Sequence, residues 1–257
     1  KIIIKGDDKK EKKGDDKKPK EDLVVFFQPN RSQKRLLANL WHRNVILKAR
    51  QLGFTTLICI LWLDTALFSE NMRCGIIAQD REAAEVIFRD KVKFAYENLP
   101  EHLKKGMPLA RDSASELLFA HNNSSIRVAT SMRSGTIHRL HISEFGKICA
   151  KYPDKAKEVV TGSIPAVPKN GILIIESTAE GREGEFYDIT MRAKSAKDTA
   201  KELTVRDYRF HFFAWWDANE YEMPADSVKL TDKDNLYFER IESQIGQPIS
   251  PEKRAWY

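Results

Sequence analysis

Directly after the apolar run Val45-Ile46-Leu47 the chain reads Lys48-Ala49-Arg50-Gln51-Leu52-Gly53-Phe54-Thr55-Thr56, a glycine-containing loop that leads into helix-forming residues. A strand, a tight loop and a helix in that order gather backbone N–H groups and the positive end of a helix dipole at one point, where phosphate oxygens bind. Gly53 permits close backbone approach, and the Thr55 hydroxyl at the helix start suits Mg²⁺. Against the usual pattern G-x-x-x-x-G-K-[ST], however, Lys48 stands in the first glycine's place and Phe54 in the lysine's. Lys48 at the front of the loop can reach back across it to supply a cation for the β- and γ-phosphates, and on these residues alone a purely structural loop fits equally well. Arg50 is a second candidate charge, and it fits a structural ion pair equally well.

Two further clusters sit where strands end. Leu140-His141-Ile142-Ser143-Glu144 closes an apolar run on a carboxylate, an arrangement that places a base beside an attacking water. Ile172-Leu173-Ile174-Ile175 runs into Glu176-Ser177-Thr178-Ala179-Glu180-Gly181, whose small hydroxyl residues suit either γ-phosphate sensing or the capping of the next turn. Ligands of open α/β sheets bind at the carboxyl ends of the strands, so all three clusters are expected at one crevice. His138 and His141, three apart on a strand, face opposite sides, and a shared metal is not expected of them. Trp215-Trp216 and the aromatics before them read as sheet-face packing, with base stacking as the alternative.

The elements that must position these clusters alternate. Strands are predicted at 45–47, 72–78, 139–143 and 172–176, and a hairpin at 116–120 and 125–129 around His121-Asn122-Asn123. Helices are predicted at 55–68, 81–99 (closed by Pro100), from near Asp154, and at 185–196; the aromatic run Tyr208–Trp216 reads as a long strand. Such alternation predicts an α/β fold, a mainly parallel central sheet flanked by helices on both faces.

Composition bounds the partners. Lys and Arg number 43 against 37 Asp and Glu, and the resulting basic balance favours a polyanionic partner without identifying it, a merely basic surface being the equal alternative. Cys59, Cys74 and Cys149 are odd in number and far apart, which predicts reduced core residues, with neither a disulfide framework nor a metal site. The longest apolar stretch, 56–68, is interrupted by Asp64 and is too short to cross a bilayer. Residues 1–22, in which GDDKK occurs twice, carry nine lysines against seven acids and little to bury after Ile4. They read as a charged, flexible segment.

Taken together, these motifs resemble the ATPase domain of the large terminase subunit, the DNA-packaging motor of tailed bacteriophages and prophages. The resemblance runs from about Phe27 to about Pro224. Phe27-Gln28-Pro29-Asn30-Arg31-Ser32-Gln33 looks like that family's adenine-recognition motif, with Gln33 as the implied base contact. The loop from Ala49 to Thr56 is similar to its deviant phosphate loop, which makes Lys48 the functional lysine and gives Arg50, Gln51, Gly53, Phe54, Thr55 and Thr56 nucleotide-binding places. Ser131-Met132-Arg133-Ser134-Gly135-Thr136 resembles the segment that carries an arginine finger, and Arg133 is the candidate, with a mobile surface arginine as the plainer reading. Glu144 matches the catalytic glutamate, and Ser177-Thr178-Ala179 the coupling motif.

The resemblance implies a P-loop NTPase of the ASCE type using ATP and Mg²⁺. Thr55 would ligate the metal, and Ser143 would reach it through water. The family usually has an aspartate where this chain has Ser143, so one expected charge is missing. The implied partners are double-stranded DNA, a portal protein, a small terminase subunit and further copies of the chain in a ring on the procapsid, in the cytoplasm of an infected bacterial host and away from membranes. The expected organisation is a charged segment at 1–22, an ATPase domain at 23–225 and a helical lid or linker at 226–257 leading toward a nuclease domain that this chain does not contain. A helicase-like ATPase and a non-hydrolysing assembly module are the competing expectations.

Overall fold

The computed structural model describes residues 1–3, 24–133, 135–218 and 221–257. Most of the charged segment predicted at 1–22 therefore lies outside the described residues. In what remains of it, β1 (Ile2–Ile3) pairs antiparallel with β2 (Val24–Val25).

From there the chain runs through α1 (Arg31–Leu37), β3 (Arg43–Lys48), α2 (Phe54–Phe68), β4 (Arg73–Ile77) and α3 (Arg81–Ile87). A π-helical stretch, Phe88–Lys93, carries α3 without a break into α4 (Phe94–Glu97), and α5 (Glu101–Gly106) follows Pro100. Next come β5 (Leu109–Asp112), β6 (Glu116–Phe119), β7 (Ser125–Ala129) and β8 (Arg139–Ser143), and after them α6 (Phe145–Lys151) and α7 (Pro153–Glu158). The last elements are β9 (Ile172–Ser177), α8 (Gly184–Asp198), β10 (Tyr208–Phe213), α9 (Asp232–Ile245) and α10 (Pro251–Trp256).

Eight strands form one sheet in the order β10-β3-β9-β8-β4-β7-β6-β5. The pairs from β10 through β7 are parallel, and β6 and β5 extend that edge antiparallel. The central strands are apolar runs because helices cover both of their faces. Residues of one parity, such as Ile46, Ile76 and Ile174, pack under α2 and the 81–97 helical run. Residues of the other parity, such as Val45, Ile142 and Ile175, pack under α6, α7 and α8. The helix α2 is apolar nearly all round and buries Leu57, Ile58, Trp62, Leu63, Ala66 and Leu67, as a helix held inside a layered domain should. No helix among the described residues is long and apolar enough to cross a membrane.

Several predicted boundaries move. The helix expected from near Asp154 is α7, which begins at Pro153, and ahead of it lies the unpredicted helix α6, because Glu144 takes a left-handed backbone conformation (φ 53°) and turns the chain at once from strand to helix. The aromatic strand ends at Phe213 and not at Trp216, since Trp215–Asp217 forms a turn of 3₁₀ helix. Lys253 donates to the carbonyls of Trp216 and Ala218, and Trp256 stacks on Tyr221 at 4.0 Å between ring centroids. Trp215 likewise stacks on Tyr257 at 4.8 Å. The tryptophans thus serve packing, holding α10 to the segment that leaves β10. The short strand β5 and the helix α1 were not predicted, although Asn30 and Gln33 form a capping box whose N-x-x-Q spacing is visible in the sequence.

Under the entry to β3, Asn44 is fully buried and accepts from the Trp41 N–H while its amide donates to Trp41 O and Leu173 O. Its remaining acceptor capacity faces His211 Nε2 at 3.0 Å, which fixes that ring nitrogen as the N–H. Burial, and then the nearby positive charges of Arg209, Lys197 and Arg35, push the His211 pKa down to about 4. A histidine held neutral on folding costs nothing above its unfolded pKa and destabilises as pH falls from there toward the folded value. Folding stability measured in urea should therefore drop by about 2 kcal/mol more between pH 7.5 and pH 5 in the native chain than in His211→Gln. Equal drops would contradict the neutral assignment.

Candidate functional site

The three strand-end clusters do converge. β3, β9 and β8 are neighbours, and register pairs Ile46 with Glu176 and Ser143 with Glu176. Side chains alternate across a strand, so Lys48, Ser143 and Glu176 all project toward the face that carries α2. Thr55, in the first turn of α2, meets them there.

At the centre is Glu176, which is 0% exposed. Its Oε1 accepts from Ser143 Oγ at 2.8 Å and from Thr55 Oγ1 at 3.1 Å, with His141 Nε2 at 3.4 Å. Its Oε2 lies 3.1 Å from Lys48 Nζ. Lys48 also donates to Glu144 Oε1 at 3.0 Å, so one ammonium bridges two carboxylates. Burial alone would raise the Glu176 pKa, but the close approach of the His141 ring at 3.4 Å, the Lys48 charge and the Ser143 hydroxyl outweigh it and hold the carboxyl below its usual range. Burial would likewise lower the pKa of Lys48, and the two carboxylates reverse that and raise it. Lys48 is thus a charged lysine at the front of the loop, 8% exposed, where the sequence reading places its cation. Glu176 is the functional residue that the sequence reading passed over. Its signal was an ionisable residue directly after four aliphatic ones at the end of a central strand.

The loop itself is braced from below. Gln33 is buried; its Oε1 accepts from the Asn30 N–H and its Nε2 donates to Gly53 O at 2.8 Å. Here it shapes the loop, and an adenine contact would have to share that amide. Gly53 has φ +70°, and a Cβ there would come within 2.8 Å of Gln33 Nε2, so backbone conformation and contact both require glycine. Gln51 is also left-handed (φ 59°), and it and Arg50 are exposed on the open side. The Phe54 side chain is core, 1% exposed and 4.6 Å from the Phe213 ring. What Phe54 offers a phosphate is its backbone N–H, which with those of Thr55 and Thr56 lies in the first turn, where a helix leaves its N–H groups unpaired. Thr56 Oγ1 accepts from Lys91 Nζ at 2.9 Å, which adds a cation that the sequence reading did not select.

Two predicted groups lie elsewhere. Arg133 makes a bidentate ion pair with Glu158 on the far side of β8 and touches none of the carboxylates around Lys48. Ser177 and Thr178 are buried, and Ser177 points to the face opposite Glu176. A Cβ on Gly146 would lie 2.8 Å from Ser177 Oγ and 3.1 Å from Thr178 O. The Ser177-Thr178 segment therefore sits flush against the helix whose first residue follows Glu144. Thr178 Oγ1 donates to Glu180 Oε1 at 3.1 Å. Cys59 and Cys74 are buried free thiols whose pKa burial raises to about 12, chemically quiet core residues. Because backbone lines the Gly146 contact, Gly146→Ala should destabilise the fold by about 1–3 kcal/mol in urea unfolding; an unchanged midpoint would show that the contact is slack.

No family model and no curated protein matches the chain. Solved structures do. The large terminase ATPase domain of Thermus phage P74-26 matches with a TM-score of 0.54 at 16% identity, over 90% of this chain and 93% of that one. The large terminase of bacteriophage HK97 matches with a TM-score of 0.53 at 18% identity over 84% of this chain, which spans 42% of that protein's length. The likeness is one of fold: a mainly parallel sheet flanked by helices.

Proposed function

We propose that this chain, built on the fold of phage large-terminase ATPase domains, is an Mg²⁺-dependent ATPase that drives double-stranded DNA into a viral procapsid. The observation that carries the reading is the bridge of Lys48 between Glu144 and Glu176 at the mouth of the loop. A phosphate-loop lysine moved to the loop's first position, beside a strand-end carboxylate able to serve as base, is the pair that phosphoryl transfer to water requires.

The residues fit Mg²⁺. Thr55 and Ser143 offer hydroxyl oxygens beside a carboxylate, and Mg²⁺ takes hard oxygen ligands, usually one or two from protein and the rest from phosphates and water. No cluster of three or more His, Cys, Asp and Glu among the described residues is arranged to hold an ion by itself, so the metal would come in with the nucleotide. Thr55 would hold it directly and Ser143 through water. When bound it supplies positive charge to the phosphate oxygens.

In the nucleotide-free arrangement Lys48 neutralises the base. Triphosphate seated on the first-turn N–H groups of α2 draws Lys48 away from Glu144, with Arg50 adding charge from the open side. Freed from its partner, Glu144 accepts a proton from the attacking water. The strand-to-helix turn at Glu144 passes the change to Ser177 and Thr178 through the Gly146 contact. Arg133 of a neighbouring copy, released from Glu158, stabilises the transition-state charge in a ring. Portal protein and small terminase subunit belong to the same reading.

Glu144→Ala should lower ATP turnover by about two to four orders of magnitude while nucleotide binding persists. Lys48→Ala should weaken binding of the nucleotide itself. Turnover unchanged in Glu144→Ala would overturn the assignment; binding by the native chain without phosphate release, with or without DNA, would favour an assembly module instead.

A further inference from the structure

The acidic strand end that this fold is expected to place on β8 reads Ser143-Glu144, and the carboxylate expected at Ser143 is missing from the sequence. Glu176 occupies the matching height on the adjacent strand, its Cα in register with that of Ser143. A glutamate is one methylene longer than an aspartate, and that reach brings Oε1 to the Thr55 hydroxyl at 3.1 Å and the Ser143 hydroxyl at 2.8 Å. Both hydroxyls spend their single proton on the same carboxylate oxygen, which leaves their lone pairs to face outward. That is the orientation in which hydroxyl oxygens can coordinate a cation. Lys48 lies between Glu144 and Glu176, and Glu144 has a further ammonium beside it, Lys147 Nζ at 3.7 Å. Binding Lys48 is not by itself a reason for Glu176, because Glu144 already holds that ammonium at 3.0 Å.

We infer that Glu176 is the metal-positioning carboxylate of the site, the acidic charge transposed from the end of β8 to the end of β9. It acts through the Thr55 and Ser143 hydroxyls and through its own negative charge, and it is a positioning residue. The inference rests on the nucleotide-binding reading above and assigns within it the charge that Ser143 does not bring.

The test is calorimetric binding of a non-hydrolysable ATP analogue to the full chain while Mg²⁺ is titrated, with EDTA as the metal-free arm. In Glu176→Gln the half-saturating Mg²⁺ concentration should rise about 10- to 100-fold, the range for loss of an outer-shell partner, while metal-free binding persists. S143D/E176Q, which returns the carboxylate to β8, should restore the native Mg²⁺ dependence. If Glu176→Gln keeps the native Mg²⁺ dependence and alters metal-free binding alone, Glu176 is only a counter-ion of Lys48 and the inference fails. Should Glu176→Gln not fold, S143D/E176Q carries the same decision: native Mg²⁺ dependence supports the transposition and its loss overturns it. A native chain that binds no analogue in either arm overturns the nucleotide reading itself, an outcome distinct from those above.

Discussion

The buried ammonium of Lys48 lies between two carboxylates at the ends of neighbouring strands, and the geometry of the site follows from that bridge. Lys48 is 3.0 Å from Glu144 and 3.1 Å from Glu176. Removing charges from water is expensive unless they are paired and hydrogen-bonded, so such a cluster persists only where its surroundings over-determine it. Here the surroundings are the Thr55, Ser143 and His141 groups crowded on one Glu176 oxygen and the parallel register that sets β3, β9 and β8 side by side. A second ammonium, that of the more exposed Lys147, lies 3.7 Å from Glu144 Oε2.

The sheet explains why two chemically different segments meet across it. On one face Glu176 meets Thr55 at the start of α2; on the other, its neighbour Ser177 lies against Gly146 of α6, the helix that leaves directly from Glu144. The left-handed backbone of Glu144 belongs to the same design. A non-glycine residue at φ 53° is a costly conformation, of a kind that concentrates at functional sites.

Much of this was legible in the sequence, and the limits have physical reasons. Periodicity located the central strands and α2 because their burial on both faces leaves an unmistakable apolar run. The capping box at Asn30 and Gln33 was equally visible, yet the stretch was read as a ligand motif and α1 was missed. Strand ends were harder. Nothing local distinguishes Trp215 as a strand residue from Trp215 as a turn residue that stacks on Tyr257, 42 positions away in the chain. The absence of charge at Ser143 is plain in the sequence, but the carboxylate beside it is not, since register between β8 and β9 is a tertiary fact and Glu176 looked like part of a hydroxyl-rich loop. Phe54 was placed in the loop by spacing, and only packing against Phe213 shows that its ring belongs to the core.

A crystal structure of the chain with Mg²⁺ and a non-hydrolysable ATP analogue would decide whether Lys48 serves the nucleotide. In it Lys48 Nζ should have left Glu144 for the β- and γ-phosphates, the first-turn N–H groups of α2 should hold the phosphate oxygens, and Glu144 should face a water in line with the γ-phosphate. Nucleotide bound away from the loop, or bound there with the Lys48–Glu144 pair still closed, would contradict that role.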